Sequence, residues 1–327
     1  PFCLNPRPQR LFAKGNIGFT MVEMLVSMAV LIMIMVLFVQ ILNHTLATTQ
    51  TATKHMDIAS QSRVVFDRLG ADLAGMPAGN SATLVVVKDV GGNPAGSDAL
   101  VFVTRGRTRL RGDVTNNAIR LGVRAYRVEA FADPALDSQP APMLAWGDGT
   151  VTWNAPSSGT LQVSSDIAGA LAAALADVIR QPATAAGNMV QFQPLADGIF
   201  RFEVCFLLSD GTLVSAPPTS VTFASLASSN VYPLALSPED SADPNRLYVK
   251  ALVVGVVGLD AAGRRLAGVN GSLLPQLAGV FHDPSASQTP LQVWDINTTL
   301  RSSLAPPNYP PPVLRGIRAY QSYYYVN

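Results

Sequence analysis

The chain is poor in charge. Only 14% of its 327 residues are Asp, Glu, Lys or Arg, where ordinary soluble domains carry about 25%. Basic and acidic residues nearly cancel, 23 against 22, which argues against a strongly basic nucleic-acid binder. Cysteine is scarcer still: Cys3 and Cys205 are too few for a disulfide framework and wrongly spaced for a structural zinc site. The three histidines, His44, His55 and His282, stand far apart without HExxH spacing, and there is no GxSxG elbow. GDGT (147–150) and AGNM (186–189) are too short to cradle a phosphate. These gaps argue against an enzyme. With 48% hydrophobic residues, long disorder is disfavoured as well.

What the sequence does have is concentrated at its start. Residues 1–18, PFCLNPRPQRLFAKGNIG, carry Arg7, Arg10 and Lys14 and no acid. Because the chain starts at Pro1, a few residues are expected before it. Residues 19–39 form an apolar run in which Glu23 is the only charge. As a helix such a run spans about 30 Å, the thickness of a bilayer core. Basic residues on the leading flank leave the leader in the cytoplasm and send the rest of the chain outward. A secretory signal would place its small-residue cleavage site after the run. Here the small residue, Gly18, comes before it, and the next stretch, QILNHTLATTQTATKHMDIASQSRVVFDRL, stays helical in character. A carboxylate such as Glu23 inside a bilayer is costly unless paired. Were the Gly18–Phe19 bond cut, the new amine of Phe19 would be a natural counter-ion.

KGNIG–FTMVEMLVSMAV resembles the class III signal of type IV pilins and type II secretion pseudopilins: a short basic leader ending in Gly, then Phe-Thr-x-x-Glu opening a hydrophobic helix. The resemblance covers roughly residues 14–40. It implies cleavage after Gly18 by prepilin peptidase, N-methylation of Phe19, and Glu23 as the assembly residue. The implied partners are other pilin or pseudopilin subunits, the inner-membrane assembly platform and membrane lipid. The implied location is a single-pass inner-membrane protein with a periplasmic head, drawn later into a pilus or pseudopilus. The proline that many major pilins carry in the membrane helix is absent, and the chain is far longer than a major pilin. Both departures point to a minor, PilW- or GspJ-like component. The closing RGIRAYQSYYYVN also resembles, loosely, prepilin-type cassette proteins of Verrucomicrobia. The competing reading is a signal-anchored periplasmic binding or adhesion module that does not polymerise.

The expected fold class is α+β, a long N-terminal helix packed on a mainly antiparallel sheet. The division expected is a leader (1–18), a transmembrane or filament-core helix (19–42), its amphipathic continuation (43–76), and a β-rich head (77–327) with a helical insertion at about 131–196. No proline occurs between Pro8 and Pro77, so one helix is read from residue 19 to about 74, with Met56, Ala59, Phe66, Leu69 and Leu73 as its core stripe. Strands are read at 83–90, 98–105, 118–129, 198–208 and 247–260, with Ser209-Asp210-Gly211 as a hairpin turn. In 118–127 the alternation predicts one buried and one wet face. SSDIAGALAAALADVIRQ (164–181) reads as the inserted helix and 288–304 as a further short one. PPNYPPP (306–312) reads as a linker, and the tail after it as a closing strand.

Three constellations remain. Arg105, Arg107, Arg109 and Arg111 alternate, which would line them on one strand face as a hairpin tip or a dock for an acidic partner. The Asp-rich loop 237–245, with Asp240, Asp243 and Asn245, has the oxygen donors calcium needs but also the ordinary residues of turns. No other metal or cofactor is expected. Cys205, within an apolar strand, reads as an inert buried thiol. Tyr320, Tyr323, Tyr324 and Tyr325 read as an edge strand or an aromatic patch for a partner.

Overall fold

Helix α1 runs from Met21 to Ala74 with no proline in it. It closes where the N–H groups of Gly75 and Met76 turn back to the carbonyls of Asp72 and Leu73. The computed structural model describes residues 20–76, 84–90, 96–105, 121–133, 136, 139–150, 190–215, 231–233, 248–268, 273–284, 287–295, 303 and 309–325. The chain divides into two units, Pro1–Ala52 and Thr53–Asn327. The first is described only as helix.

The second unit is built on two antiparallel sheets. The first holds β1 (Leu84–Val87), β2 (Ala99–Arg105), β3 (Leu121–Asp133), β4 (Gln139–Thr150), β5 (Gln191–Ala196) and β8 (Val231–Pro233), in the order β5-β4-β3-β2-β1-β8. The second holds β6 (Ile199–Leu208), β7 (Leu213–Val214), β9 (Val249–Leu259) and β10 (Ile317–Tyr325), in the order β10-β9-β6-β7. Among the described residues, four short helices follow β9: α2 (Ala261–Gly268), α3 (Leu273–Val280), α4 (Pro290–Val293) and α5 (Pro311–Gly316). A coarse α+β class with antiparallel sheets is therefore present.

The main core gathers Leu84 and Val86 from β1, Leu100 and Phe102 from β2, Tyr126 from β3, Phe202, Val204 and Phe206 from β6, and Leu252, Val254 and Val256 from β9, together with Val65 and Leu69 of α1. A second core collects Phe200, Val257 and Leu259 with Leu277, Phe281, Trp294 and Val313 of the helical segments. The second sheet thus contributes to both cores. That is why β6 and β9 read as near-continuous apolar runs instead of alternating ones.

Several expectations need correction. In the core stripe of α1, Phe66, Leu69 and Leu73 pack against the main core, but Met56 is 71% exposed and Ala59 is exposed. The buried face is Ile58, Ser62, Val65 and Leu69, and at 3.6 residues per turn Met56 lies about 160° around the helix from Ile58. The wet face expected of 118–127 is absent over its described residues: Gly122 to Glu129 are all buried, Arg124 and Arg127 included. β4 has no counterpart among the expected strands; it lies with β5 inside the stretch read as a helical insertion. The helix read at 164–181 lies outside the described residues. Among the described residues of 288–304, Pro290–Val293 form a helix, opened by a Thr289–Gln292 capping box. The tail first turns through α5, so its strand begins at Ile317.

The hairpin turn lies at Ser209-Asp210-Gly211, as expected. Gly211 takes φ 87°, a conformation that favours glycine, and β7 returns antiparallel to β6. Gly255 of β9 is demanded by packing instead. A Cβ there would lie 2.5 Å from Pro290 Cβ and 2.7 Å from Trp294 Cζ3. Gly255→Ala is expected to lower stability by about 1–3 kcal/mol by overpacking, read as a lower urea midpoint for the full chain in detergent. An unchanged midpoint would mean that α4 does not seat on β9 in this way.

Candidate functional site

In the first unit the candidate site is the helix itself. Thr20 caps it: its hydroxyl accepts from the Glu23 N–H at 3.3 Å, and its carbonyl accepts from the N–H groups of Glu23 and Met24. Glu23 therefore stands in the first turn, where the unpaired N–H groups of the helix favour a carboxylate. Every residue from Thr20 to Thr49 is exposed. The hydroxyls of Ser27, Thr45, Thr48 and Thr49 donate to carbonyls of the preceding turn, so they leave few polar groups facing outward. Met21–Thr49 is long and apolar enough to cross a membrane, and none of its apolar window is buried. A helix apolar on all sides needs apolar surroundings, whether lipid or protein.

The second unit holds two clusters of desolvated charge. The first centres on Asp72, near the end of α1. Its carboxylate accepts from Tyr126 Oη at 2.6 Å, Trp146 Nε1 at 3.2 Å and Arg68 Nε at 3.3 Å, and lies 3.7 Å from Arg124 Nε. Its carbonyl accepts from Thr104 Oγ1. Arg124 also pairs with Asp148, and the guanidiniums of Arg68 and Arg124 lie over the Trp146 ring. Burial and the bond to Asp72 push the Tyr126 phenol up, so it stays a donor.

The second cluster centres on Lys88, just after β1. Its ammonium meets Asp98 Oδ2 at 2.5 Å, Glu203 Oε1 and the Val204 carbonyl at 3.0 Å. Arg201 Nη2 bridges Glu203 Oε2 at 3.1 Å and Asp283 Oδ1 at 2.7 Å. Oxygens of Asp98, Glu203 and Asp283 lie within 4.8 Å of one another, a spacing that suits a cation. Here the Lys88 ammonium contacts both Asp98 and Glu203. Burial pushes the Cys205 thiol beside this cluster up, which keeps it protonated and unreactive.

The residues singled out from sequence are not brought together. Gly18 and Phe19 lie outside the described residues, as do Arg107, Arg109 and Arg111; Arg105 ends β2. Asp240, Asp243 and Asn245 also lie outside them. His44 is exposed on α1, His55 meets Arg318 Nη2 at 2.7 Å, and His282 is exposed. Tyr320 and Tyr324 pack on the main core, with Tyr324 Oη donating to the Phe66 carbonyl, while Tyr323 and Tyr325 are exposed on this edge strand. The Lys88 cluster escapes a reading of the sequence because its members come from distant segments. A signal is present: charges in or beside apolar runs, as in VVVKDV, DALVFV and FRFEVCF, must meet partners if those runs are buried.

No family model matches the chain, and neither a curated protein nor a solved structure matches it.

Asp72→Ala would leave the Tyr126 phenol without its acceptor in a water-poor site and Arg124 with Asp148 alone. A loss of about 3 kcal/mol is expected, measured by urea unfolding of the full chain in detergent, and Tyr126→Phe should cost about 1 kcal/mol. Asp72→Ala within about 0.5 kcal/mol of the parent, the spread of a neutral surface change, would remove Asp72 from the centre of this cluster.

Proposed function

We propose that the chain is a minor pilin- or pseudopilin-like structural subunit, inserted in a membrane and assembled into a filament through its N-terminal helix. The observation that carries this reading is the wholly exposed apolar segment Met21–Thr49. Glu23 is the only Asp, Glu, Lys or Arg between Thr20 and Thr53. Facing lipid, a carboxylate is costly unless paired, even with the help of the helix's first turn. An assembling helix pairs it, if the charge meets an amine on a neighbour. The motif around Gly18-Phe19 supplies that amine, by cleavage after Gly18 and methylation of Phe19 at its nitrogen, which leaves it cationic.

On this reading the stretch of α1 beyond Thr53 is the seat of the helix on the head's sheets, through Ile58, Val65 and Leu69 and the Asp72 hub. The head faces the periplasm, and prepilin peptidase, the assembly platform and other subunits are its partners. Its work is assembly, without catalysis.

Amino-terminal peptide mass spectra of the protein from its native membrane test the reading directly. A chain starting at methylated Phe19 is expected; an intact leader would leave a plain membrane anchor that binds or adheres without polymerising. Glu23→Ala should insert and fold normally yet be recovered in sheared filaments at about a tenth of the parent level or less. Incorporation equal to the parent would rule out Glu23 as the assembly residue.

A further inference from the structure

The Lys88 cluster carries more than an ion pair. β1 and β2 pair antiparallel with Val87 opposite Ala99, so Lys88 and Asp98, one step beyond, face each other across the mouth of that hairpin. Lys88 Nζ lies within hydrogen-bond distance of Asp98 Oδ2, 2.5 Å away. Two backbone donors hold the Asp98 carboxyl: the Val204 N–H on Oδ2 at 2.8 Å and the Asp89 N–H on Oδ1 at 3.3 Å. Glu203 touches the same Nζ from the other side, itself held by Arg201. Water is kept out: Lys88 is 5% exposed, and Asp98 and Glu203 are 0%. An amine, a carboxyl with oxyanion donors, and a second carboxyl in reach of the amine are the parts of an acyl transfer.

We propose that Lys88 and Asp98 become joined by an isopeptide bond between Lys88 Nζ and Asp98 Cγ, with Glu203 carrying the proton. The Lys88 ammonium passes one proton to Glu203, and the freed amine attacks Asp98 Cγ. The N–C bond forms, the negative charge on the carboxyl oxygens rests against the Val204 and Asp89 N–H groups, and a C–O bond breaks. The departing oxygen leaves as water, taking the proton held by Glu203 and one more from the nitrogen. One ammonium and one carboxylate are consumed, one amide and one water result, and no other reactant is needed.

The protonation states bear on this sequence. Burial works against the Lys88 ammonium, but the carboxylates of Asp98, Glu203 and Asp283 outweigh it and hold it above the ordinary lysine range. The amine therefore appears only as its proton is handed on. Glu203 is suited to take it: burial and the nearby Asp98 raise its carboxyl well above the ordinary range, against the pull of Lys88 and Arg201. Condensation also removes two opposite charges from a site where charge is costly to keep.

This inference stands apart from filament assembly, and a peptide map keeps the two separable because it does not involve the amino terminus. The purified full chain, held folded at neutral pH until its mass is constant, is digested to completion with trypsin. Lys88 is the only Lys or Arg between Arg68 and Arg105, so an unlinked chain yields 69–88 and 89–105 as separate peptides. The linked chain should yield 69–105 as one looped peptide, lighter than its sequence by one water. Separate peptides at full mass would overturn the proposal, and a peptide joining 69–105 to 202–246 would overturn Asp98 in favour of Glu203 as the acyl partner. Glu203→Gln, checked for a native circular dichroism spectrum, should return separate peptides. A looped peptide from that folded variant would overturn the role of Glu203. Should the variant fail to fold, the map of the unaltered chain still decides whether the bond exists.

Discussion

A charge taken out of water must be met by another, and that constraint organises the second unit. Asp72 meets it at the end of α1 by gathering Tyr126, Trp146, Arg68 and Arg124. Through them it touches β3 and β4, and through its carbonyl it reaches Thr104 of β2. Lys88 meets it between the sheets, drawing Asp98 from the first and Glu203 from the second. Apolar packing has no direction, whereas a buried carboxylate accepts bonds only from donors at fixed places. These two hubs therefore fix which segments lie together, on top of the burial that drives them there.

The two units carry different surfaces. From Met21 to Thr49 the chain is a helix without a polar face, with hydroxyls turned back onto its own carbonyls. From Thr53 onward α1 carries charges, and the strands of the second sheet's centre bury almost every residue they have. A subunit that lives first in a bilayer and then in a filament core needs the first kind of surface. A head that must stay folded outside the membrane needs the second. The proposed function rests on that division of labour within one chain.

The low overall charge also takes on meaning. With only 14% of residues charged, placing Lys88, Asp98, Glu203, Arg201, Arg124, Arg127 and Arg264 in buried or nearly buried positions is unusual. Arg127 pairs with Glu129 and Arg264 with Asp133, so these charges too sit opposite partners. Such pairs add little net stability over apolar packing, but leaving one partner alone is costly. In the Lys88 cluster such pairing also brings an amine and two carboxyls into contact.

Local pattern sufficed for the elements whose signal is carried by neighbours in sequence. Apolar composition and the absence of proline determined α1, and runs of Val, Phe and Tyr bounded by turn residues determined β1, β2, β6, β9 and the hairpin at Gly211. The FTxxE pattern set the candidate residues at the amino terminus by itself, because that signal is carried by neighbours in sequence. Tertiary structure decided the rest. It chose Ile58 over Met56 as the buried face, since a helix's stripe is defined only by what it rests on. It buried Gly122 to Glu129 of β3 despite their alternation, and it made a strand of β4, whose Pro and Gly residues have weak intrinsic preference, by pairing it with β3. It also assembled Lys88, Asp98 and Glu203, which lie up to 115 residues apart. No spacing rule spans that distance; only the register of strands in two sheets brings those three side chains to one point.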